Sequence, residues 1–314
     1  MTNKFDLTGK TIWIPGSRGM VSSAIIRRLS EEKAKILSTT RDDIDLLDTA
    51  QVYAFYEAIK PDVVVLSAAK VGGIYANNTY PVDFISENIQ IQQNVIVGAH
   101  KASVQKLLFL GSTCIYPRDC IIPISENSLL TGTLEPTNEW YAIAKIAGLK
   151  LCQAYRIQYG CDFISAIPAN LYGPNDNFHP EHSHVPAALL QRFHEAKLNH
   201  LDDVTVWGSG KSYREFLHVD DLADACIFLL QNYSETQCIN IGTGRDITIS
   251  DFAYLIKNTV GFKGNIIFDT NRPDGAPKRL LDISRMKEIG WISRIDLEEG
   301  LEQYYNWYLE NNNA

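Results

Sequence analysis

"IPGSRGMVSSAI", residues 14–25, decides how the rest of the chain is read. A β-branched run, Thr11–Pro15, leads into Gly16 and Gly19, and a helical pattern begins directly after them. Strand, glycine turn and helix in that order form the setting in which a GxxGxxG pattern holds a dinucleotide. The early glycines permit the tight turn and the close approach of backbone to pyrophosphate at a helix N-terminus. Ser22 stands where the last glycine belongs, a position that serves helix–strand packing more than phosphate binding.

The same alternation continues outward from the turn. Apolar runs at Lys35–Ser38, Asp62–Ala68, Lys106–Gly111 and Asp162–Pro168 are interleaved with helical patterns near 20–31, 48–59, 83–102 and 141–159. The runs are continuous rather than alternating, as in strands covered on both faces. This predicts an α/β fold, a doubly wound parallel sheet of the Rossmann kind. After Asn170 the texture changes to the Pro-, Asn- and His-rich "NLYGPNDNFHPEHSHVP". Helices are predicted near 185–197 and 220–231, with Asp220 and Asp221 at the start of the second. A further helix, capped by Ser250, is predicted to run to about Val260. Strands are predicted at Val204–Trp207, Cys238–Gly242 and Ile266–Phe268. The expected organisation is a dinucleotide-binding domain over 1–170, joined again by segments near 216–245. A smaller C-terminal substrate-binding lobe occupies mainly 171–314, and the cleft between them is the expected ligand site.

The 314 residues are 45% hydrophobic with a net charge of -8. That is ample for a packed core, and the acidic balance argues against nucleic acid or a membrane surface as partner. No apolar run reaches the ~18 residues of a membrane span, and "MTNKFDLTGK" is too polar for a signal peptide, so a cytoplasmic location is expected. The six cysteines lack CxxC spacing, which predicts free thiols and no metal centre.

Two features bear on chemistry. The end of the second strand, "LSTTRDD", has no carboxylate at 37–41 but has Arg41, and Arg18 lies inside the glycine turn. Cations without a carboxylate favour a 2′-phosphate, hence NADP(H). Asp42 and Asp43 are expected to face solvent. "NEWYAIAKIAG" places Tyr141 and Lys145 four apart on one helix face, and "FLGSTCIYP" ends a strand with Ser112 and Cys114. A tyrosine exchanges a proton near neutrality only with help, which an ammonium and a serine hydroxyl can give.

At these residues the chain resembles the extended short-chain dehydrogenase/reductase family, over nearly its whole length. The resemblance is carried by "GSRGMV", "AAKVGGIYANNTYP", "LFLGSTCIYP", "GTLEPTNEWYAIAKIAG", "NLYGPNDNFHP", "VWGSGKSYREFLHVDD" and "PDGAPKRLLD". It implies NADPH-dependent 3,5-epimerisation and 4-reduction of a GDP-sugar, GDP-4-keto-6-deoxy-D-mannose. It implies Ser112, Tyr141 and Lys145 as a catalytic triad, and Cys114 and His184 as the epimerising base and acid. His179 and His182 are rivals to His184 by position. The implied cofactor contacts are Gly16, Ser17, Arg18, Gly19, Met20, Val21, Arg41, Leu110, Gly111, Tyr141, Lys145, Asn170, Leu171 and His184. Arg192, Trp207, Arg214 and Asp274, with Lys278 or Arg279 close by, are implied for the GDP-sugar. Thr39 departs from the pattern, standing where a bacterial relative offers arginine to the 2′-phosphate. A homodimer through segments 83–102 and 141–159 is implied as well. For Cys114 to act as base, a neighbouring cation is expected to lower its pKa from about 8.5. His218, Tyr116 and Tyr172 are read as ordering or packing residues.

Three rivals are weighed against this reading. A sugar-nucleotide dehydratase or C4 epimerase is the first; dehydratases use an Asp-Glu pair where this chain has Cys114 and Ile115, and isoleucine moves no proton. A non-catalytic NADP-binding sensor would have no need of Ser112, Tyr141 and Lys145 together. An enzyme for the 4-keto-3,6-dideoxy GDP-sugar is barely separable by sequence.

Overall fold

Strands with no polar face have to be covered on both sides, and in the computed structural model they are. The structure describes residues 4–179, 183–272 and 274–312. In chain order the first half contains β1 (Thr11–Pro15), α1 (Met20–Leu29), β2 (Lys35–Thr39), α2 (Thr49–Ile59), β3 (Val63–Leu66), α3 (Ile74–Thr79), α4 (Pro81–Lys101), β4 (Lys106–Leu110), α5 (Glu139–Tyr159) and β5 (Asp162–Pro168). There follow β6 (Asn170–Tyr172), α6 (Val185–Leu198), β7 (Asp203–Trp207), β8 (Tyr213–Arg214), β9 (Phe216–His218), α7 (Val219–Asn232) and β10 (Ile239–Ile241). The chain ends with β11 (Ile247–Thr248), α8 (Ile249–Val260), β12 (Asn265–Asp269), β13 (Lys278–Arg279), α9 (Ser284–Glu288) and α10 (Leu297–Asn312).

The main sheet has the order β10-β5-β4-β3-β1-β2, with every pair parallel. Every residue of β3 and β4 is buried, which is why these strands read as unbroken apolar runs. The chain winds outward from β1 to β2, then crosses back to β3 on the other side. The crevice at this switch point lies beyond the carboxyl ends of β1 and β3, where ligands of such sheets bind. A second core lies apart from the first, built on Phe193, Phe252, Tyr304 and neighbouring aromatic rings. No helix among the described residues is long and apolar enough to cross a membrane.

Several local expectations need correction. β3 stops at Leu66, so Ser67 and Ala68 leave the sheet at the switch point, and Gly111 likewise lies past the end of β4. Ser250 is inside α8, whose cap is Thr248: its hydroxyl accepts from the Asp251 N–H at 2.9 Å. Asp220 and Asp221 do not cap α7. The cap is His218, whose Nδ1 accepts from the Asp220 N–H at 3.2 Å, while Asp221 accepts from the backbone of Arg294 and Ile295. In both helices the residue immediately before the first turn reaches the orphan N–H, and the acidic residue sits in that turn, where the helix dipole favours it.

Candidate active site

Gly16 has φ +75°, and a Cβ there would stand 3.0 Å from the Ala68 Cβ. Both the left-handed backbone and the close approach of the β3 end require glycine at this point. Gly16 and Ser17 donate to the Thr39 carbonyl, which ties the turn to β2. Gly19 caps α1 in extended conformation with no side-chain acceptor, leaving the first N–H groups of the helix for an anion. Ser22 is buried with its hydroxyl 2.8 Å from the Ser67 hydroxyl, so it pins α1 to the end of β3.

Beside the turn is a cavity of about 330 Å³, lined among others by Gly16, Thr40, Arg41, Leu46, Ala68 and Lys70. Sequence reading places Gly16 and Arg41 there but not "DLL" at 45–47, and takes "AAK" at 68–70 only as part of a family motif. Its signal would have been the end of β3 itself, since that strand borders the switch point. Thr39 faces inward and accepts from Trp13 Nε1 at 3.0 Å, so this position belongs to the core. Arg18 is exposed and forms an ion pair of 2.7 Å with Asp42, which, like Asp43, faces solvent as expected.

At the end of β4, Ser112 caps a short 3-10 turn over Thr113–Ile115, its hydroxyl accepting from the Cys114 N–H at 3.5 Å. Lys145 on α5 is 2% exposed; its ammonium donates to the Leu110 carbonyl at 2.8 Å and lies 5.8 Å from the Tyr141 ring centre. Burial lowers the Lys145 pKa to about 8 and raises the Tyr141 phenol well above its usual range. Burial also pushes the Cys114 thiol up to about 11, outweighing the Ser112 hydrogen bond and the charges of Lys145 and Arg279. The expected lowering of this thiol is therefore overturned: removal from water costs a thiolate more than its neighbouring cations return.

The Phe84 ring meets Tyr141 edge-on at 6.3 Å and lies against Gly72, while a Cβ on Gly73 would stand 3.1 Å from the Ser183 carbonyl. This chain of contacts leads from Tyr141 to the residue before His184. His184 opens α6; the residue is exposed, yet desolvation by the surrounding protein lowers its pKa. His182 lies outside the described residues. His218 is fully buried, as is Tyr116, whose hydroxyl donates to Asn240 Oδ1 at 2.6 Å.

Asn170 Nδ2 donates to the Glu215 carbonyl at 3.0 Å, holding β6 beside β9 next to the half-buried Leu171. The guanidinium groups of Arg192 and Arg272 stand 4.6 and 4.8 Å from the half-exposed Trp207 ring. Arg272 escaped sequence reading, although "TNRPDG" carries a cation next to a turn. Asp274 spends its carboxylate on the Ser209 N–H and hydroxyl, both at 2.7 Å. Lys278 pairs with Asp246 at 2.8 Å, whereas Arg279 donates to the Pro117 carbonyl at 2.9 Å and reaches the Cys114 side. The two point opposite ways because successive strand residues do. Arg214 is buried enough, and near enough to Arg279, for its pKa to fall to about 10.

The family described as NAD dependent epimerase/dehydratase matches residues 12–242. The chain belongs to this family. It is 56% identical over 301 residues to GDP-L-fucose synthase 1 of Arabidopsis thaliana, covering 96% of this chain and 93% of the relative. It is 35% identical over 304 residues to a GDP-L-colitose synthase of Yersinia pseudotuberculosis, covering 96% and 99%. A GDP-L-fucose synthetase of Naegleria fowleri, solved bound to NADP, superposes with a TM-score of 0.92 at 28% identity over 100% of this chain and 98% of that one.

Proposed function

We propose that this chain converts GDP-4-keto-6-deoxy-D-mannose to GDP-L-fucose, inverting C3 and C5 and reducing C4. The reading is carried by one grouping: Ser112, Cys114, Tyr141 and Lys145 converge where β4 ends. The much higher identity to the fucose than to the colitose enzyme favours the 6-deoxy over the 3,6-dideoxy substrate. Ile115 is fully buried beside Cys114 and offers no proton for a dehydration.

The turn fits a dinucleotide, because its uncapped helix N-terminus and side-chain-free approach at Gly16 suit a pyrophosphate. Gly16, Ser17, Gly19, Met20 and Val21 would hold that group, Arg18 and Arg41 the 2′-phosphate, and Leu110, Gly111, Asn170 and Leu171 the remainder. NADPH, when bound, supplies the hydride taken up at C4. Arg192, Trp207, Arg214 and Arg279 would hold the GDP moiety, since two mutually repelling, partly desolvated arginines gain most from an anionic diphosphate. Tyr141 and Ser112 would donate to the C4 oxygen, which acidifies the C3 and C5 hydrogens.

At rest burial keeps the Cys114 thiol protonated, and desolvation favours the neutral His184 imidazole. For the chemistry the thiol gives up its proton and the imidazole gains one, so that thiolate and imidazolium coexist. The thiolate removes the C3 or C5 proton, the C–H electron pair passes into an enolate on the C4 oxygen, and His184 returns a proton to the opposite face. Cys114 and His184 are then back in their resting forms for the second inversion.

Purified protein given GDP-4-keto-6-deoxymannose should consume NADPH stoichiometrically and release the L-galacto product, followed by absorbance and NMR. Absence of NADPH loss, or faster turnover of the 3,6-dideoxy substrate, would refute the assignment. Arg18→Ala should lower kcat/KM for NADPH by about tenfold, as expected for one charge-assisted hydrogen bond, and leave NADH unaffected. Steady-state kinetics with both cofactors checks this. A homodimer through α4 and α5 is supported by the apolar residues these adjoining helices leave exposed, Val82, Ile89, Trp140 and Ile157.

A further inference from the structure

The segment between β6 and α6 carries His184, and its described residues are tied to elements far apart in the chain. Asn175 Nδ2 donates to the Ser23 hydroxyl at 3.0 Å, on α1 just past the glycine turn. Asp176 turns to the other side: one carboxylate oxygen accepts from the Tyr304 hydroxyl on α10 at 3.0 Å, and the other from the Asn177 N–H at 2.7 Å. The Phe178 ring packs against Tyr304, Trp307 and Tyr308, with ring centres 5.8, 6.4 and 4.8 Å away. Further along, the Ser183 carbonyl rests against Gly73.

Within this set Asp176 stands out. Its neighbours are aromatic rings, and an apolar side chain would pack there without the cost of taking a carboxylate out of water. Burial raises its pKa to about 6. The rings of Phe178 and Tyr304 already provide the burial that holds α10 in place. What the hydrogen bond adds is direction: it fixes the loop at one point along α10, eight residues before His184.

We infer that Asp176 and Tyr304 are positioning residues, a clasp that sets where the loop presents His184 to the substrate. The inference rests on the acid role proposed for His184. A site built in this way takes part of its geometry from α10, a helix that carries none of the residues assigned to the reaction.

Tyr304→Phe removes the clasp and keeps the ring. Two quantities decide the matter: the NMR titration of the His184 ring, assigned by its loss in His184→Asn, and solvent-deuterium exchange at C3 and C5 of the substrate. We expect the His184 titration to move toward that of a free imidazole and exchange to fall about tenfold to hundredfold, as for a catalytic group displaced by about 1 Å. NADPH affinity should be unchanged. Asp176→Asn, which keeps an acceptor for the Tyr304 hydroxyl, should retain more exchange than Asp176→Ala. An unmoved His184 titration in Tyr304→Phe overturns the clasp, even if the melting temperature drops. A moved titration with normal exchange in both Tyr304→Phe and His184→Asn upholds the clasp and overturns the acid assignment instead.

Discussion

In Cys114→Ala, exchange of solvent deuterium into C3 and C5 should fall by about 10²–10⁴-fold, the range for loss of a positioned proton-transfer group. The thiol is buried at the end of β4, with Ser112, Lys145 and Arg279 beside it. The substitution removes one sulfur from a small site, so folding should survive with a modest loss of stability. Recovered substrate analysed by mass spectrometry and NMR gives the exchange directly. A 4-keto sugar already carrying the product configuration should still be reduced, because hydride uptake needs Tyr141 and not Cys114. Exchange at the parent rate would remove Cys114 from the chemistry. Cys114→Ser should be nearly as inert as alanine, since an alcohol in this dry position is a far weaker acid than the thiol it replaces.

Tyr141→Phe should slow hydride transfer by about 10²–10⁴-fold in single-turnover measurements of NADPH absorbance. Burial raises the phenol above its usual range, so it is protonated at neutral pH, the form needed to donate to the C4 oxygen. Lys145 works in the opposite sense. Its pKa is lowered to about 8, so the ammonium is present below that pH and is lost as pH rises through it. The pH profile of kcat/KM should accordingly decline on the alkaline side near 8. On the acid side it should decline below the usual histidine range, because His184 is shifted downward and protonating it leaves the Cys114–His184 pair with two protons and no base. In Lys145→Arg the alkaline limb should move upward, since a guanidinium stays charged. An unchanged limb would mean that another group sets it.

Much of this was legible in the chain because the deciding signals are local. The continuous apolar runs of β3 and β4 report burial on both faces, and Gly16 reports a left-handed turn. Tyr141 and Lys145 report one helix face by spacing alone. What sequence could not report were the partners. Asp220 and Asp221 mark the start of α7, but the side chain that caps it is a histidine two residues before Asp220. That Arg18 lies within 2.7 Å of Asp42 is a contact across the turn that the sequence does not show. The thiol of Cys114 was expected to be lowered by cations, and the cations are present, but burial outweighs them. Each of these depends on a balance between desolvation and contacts far apart in sequence, which residue type and spacing do not encode.

The sixth strand of the main sheet has a consequence for how the chain comes into being. β10 completes the sheet beside β5, and its Asn240 is wholly buried, accepting from Tyr116 and donating to the Ile124 and Asp282 carbonyls. α7, immediately before it, covers α1. During synthesis the amino-terminal half therefore emerges with one edge of its sheet unpaired and one face of its first helix bare. Both are closed only when residues 219–241 leave the ribosome, so the cofactor-binding half is finished by a part of the chain made well after it.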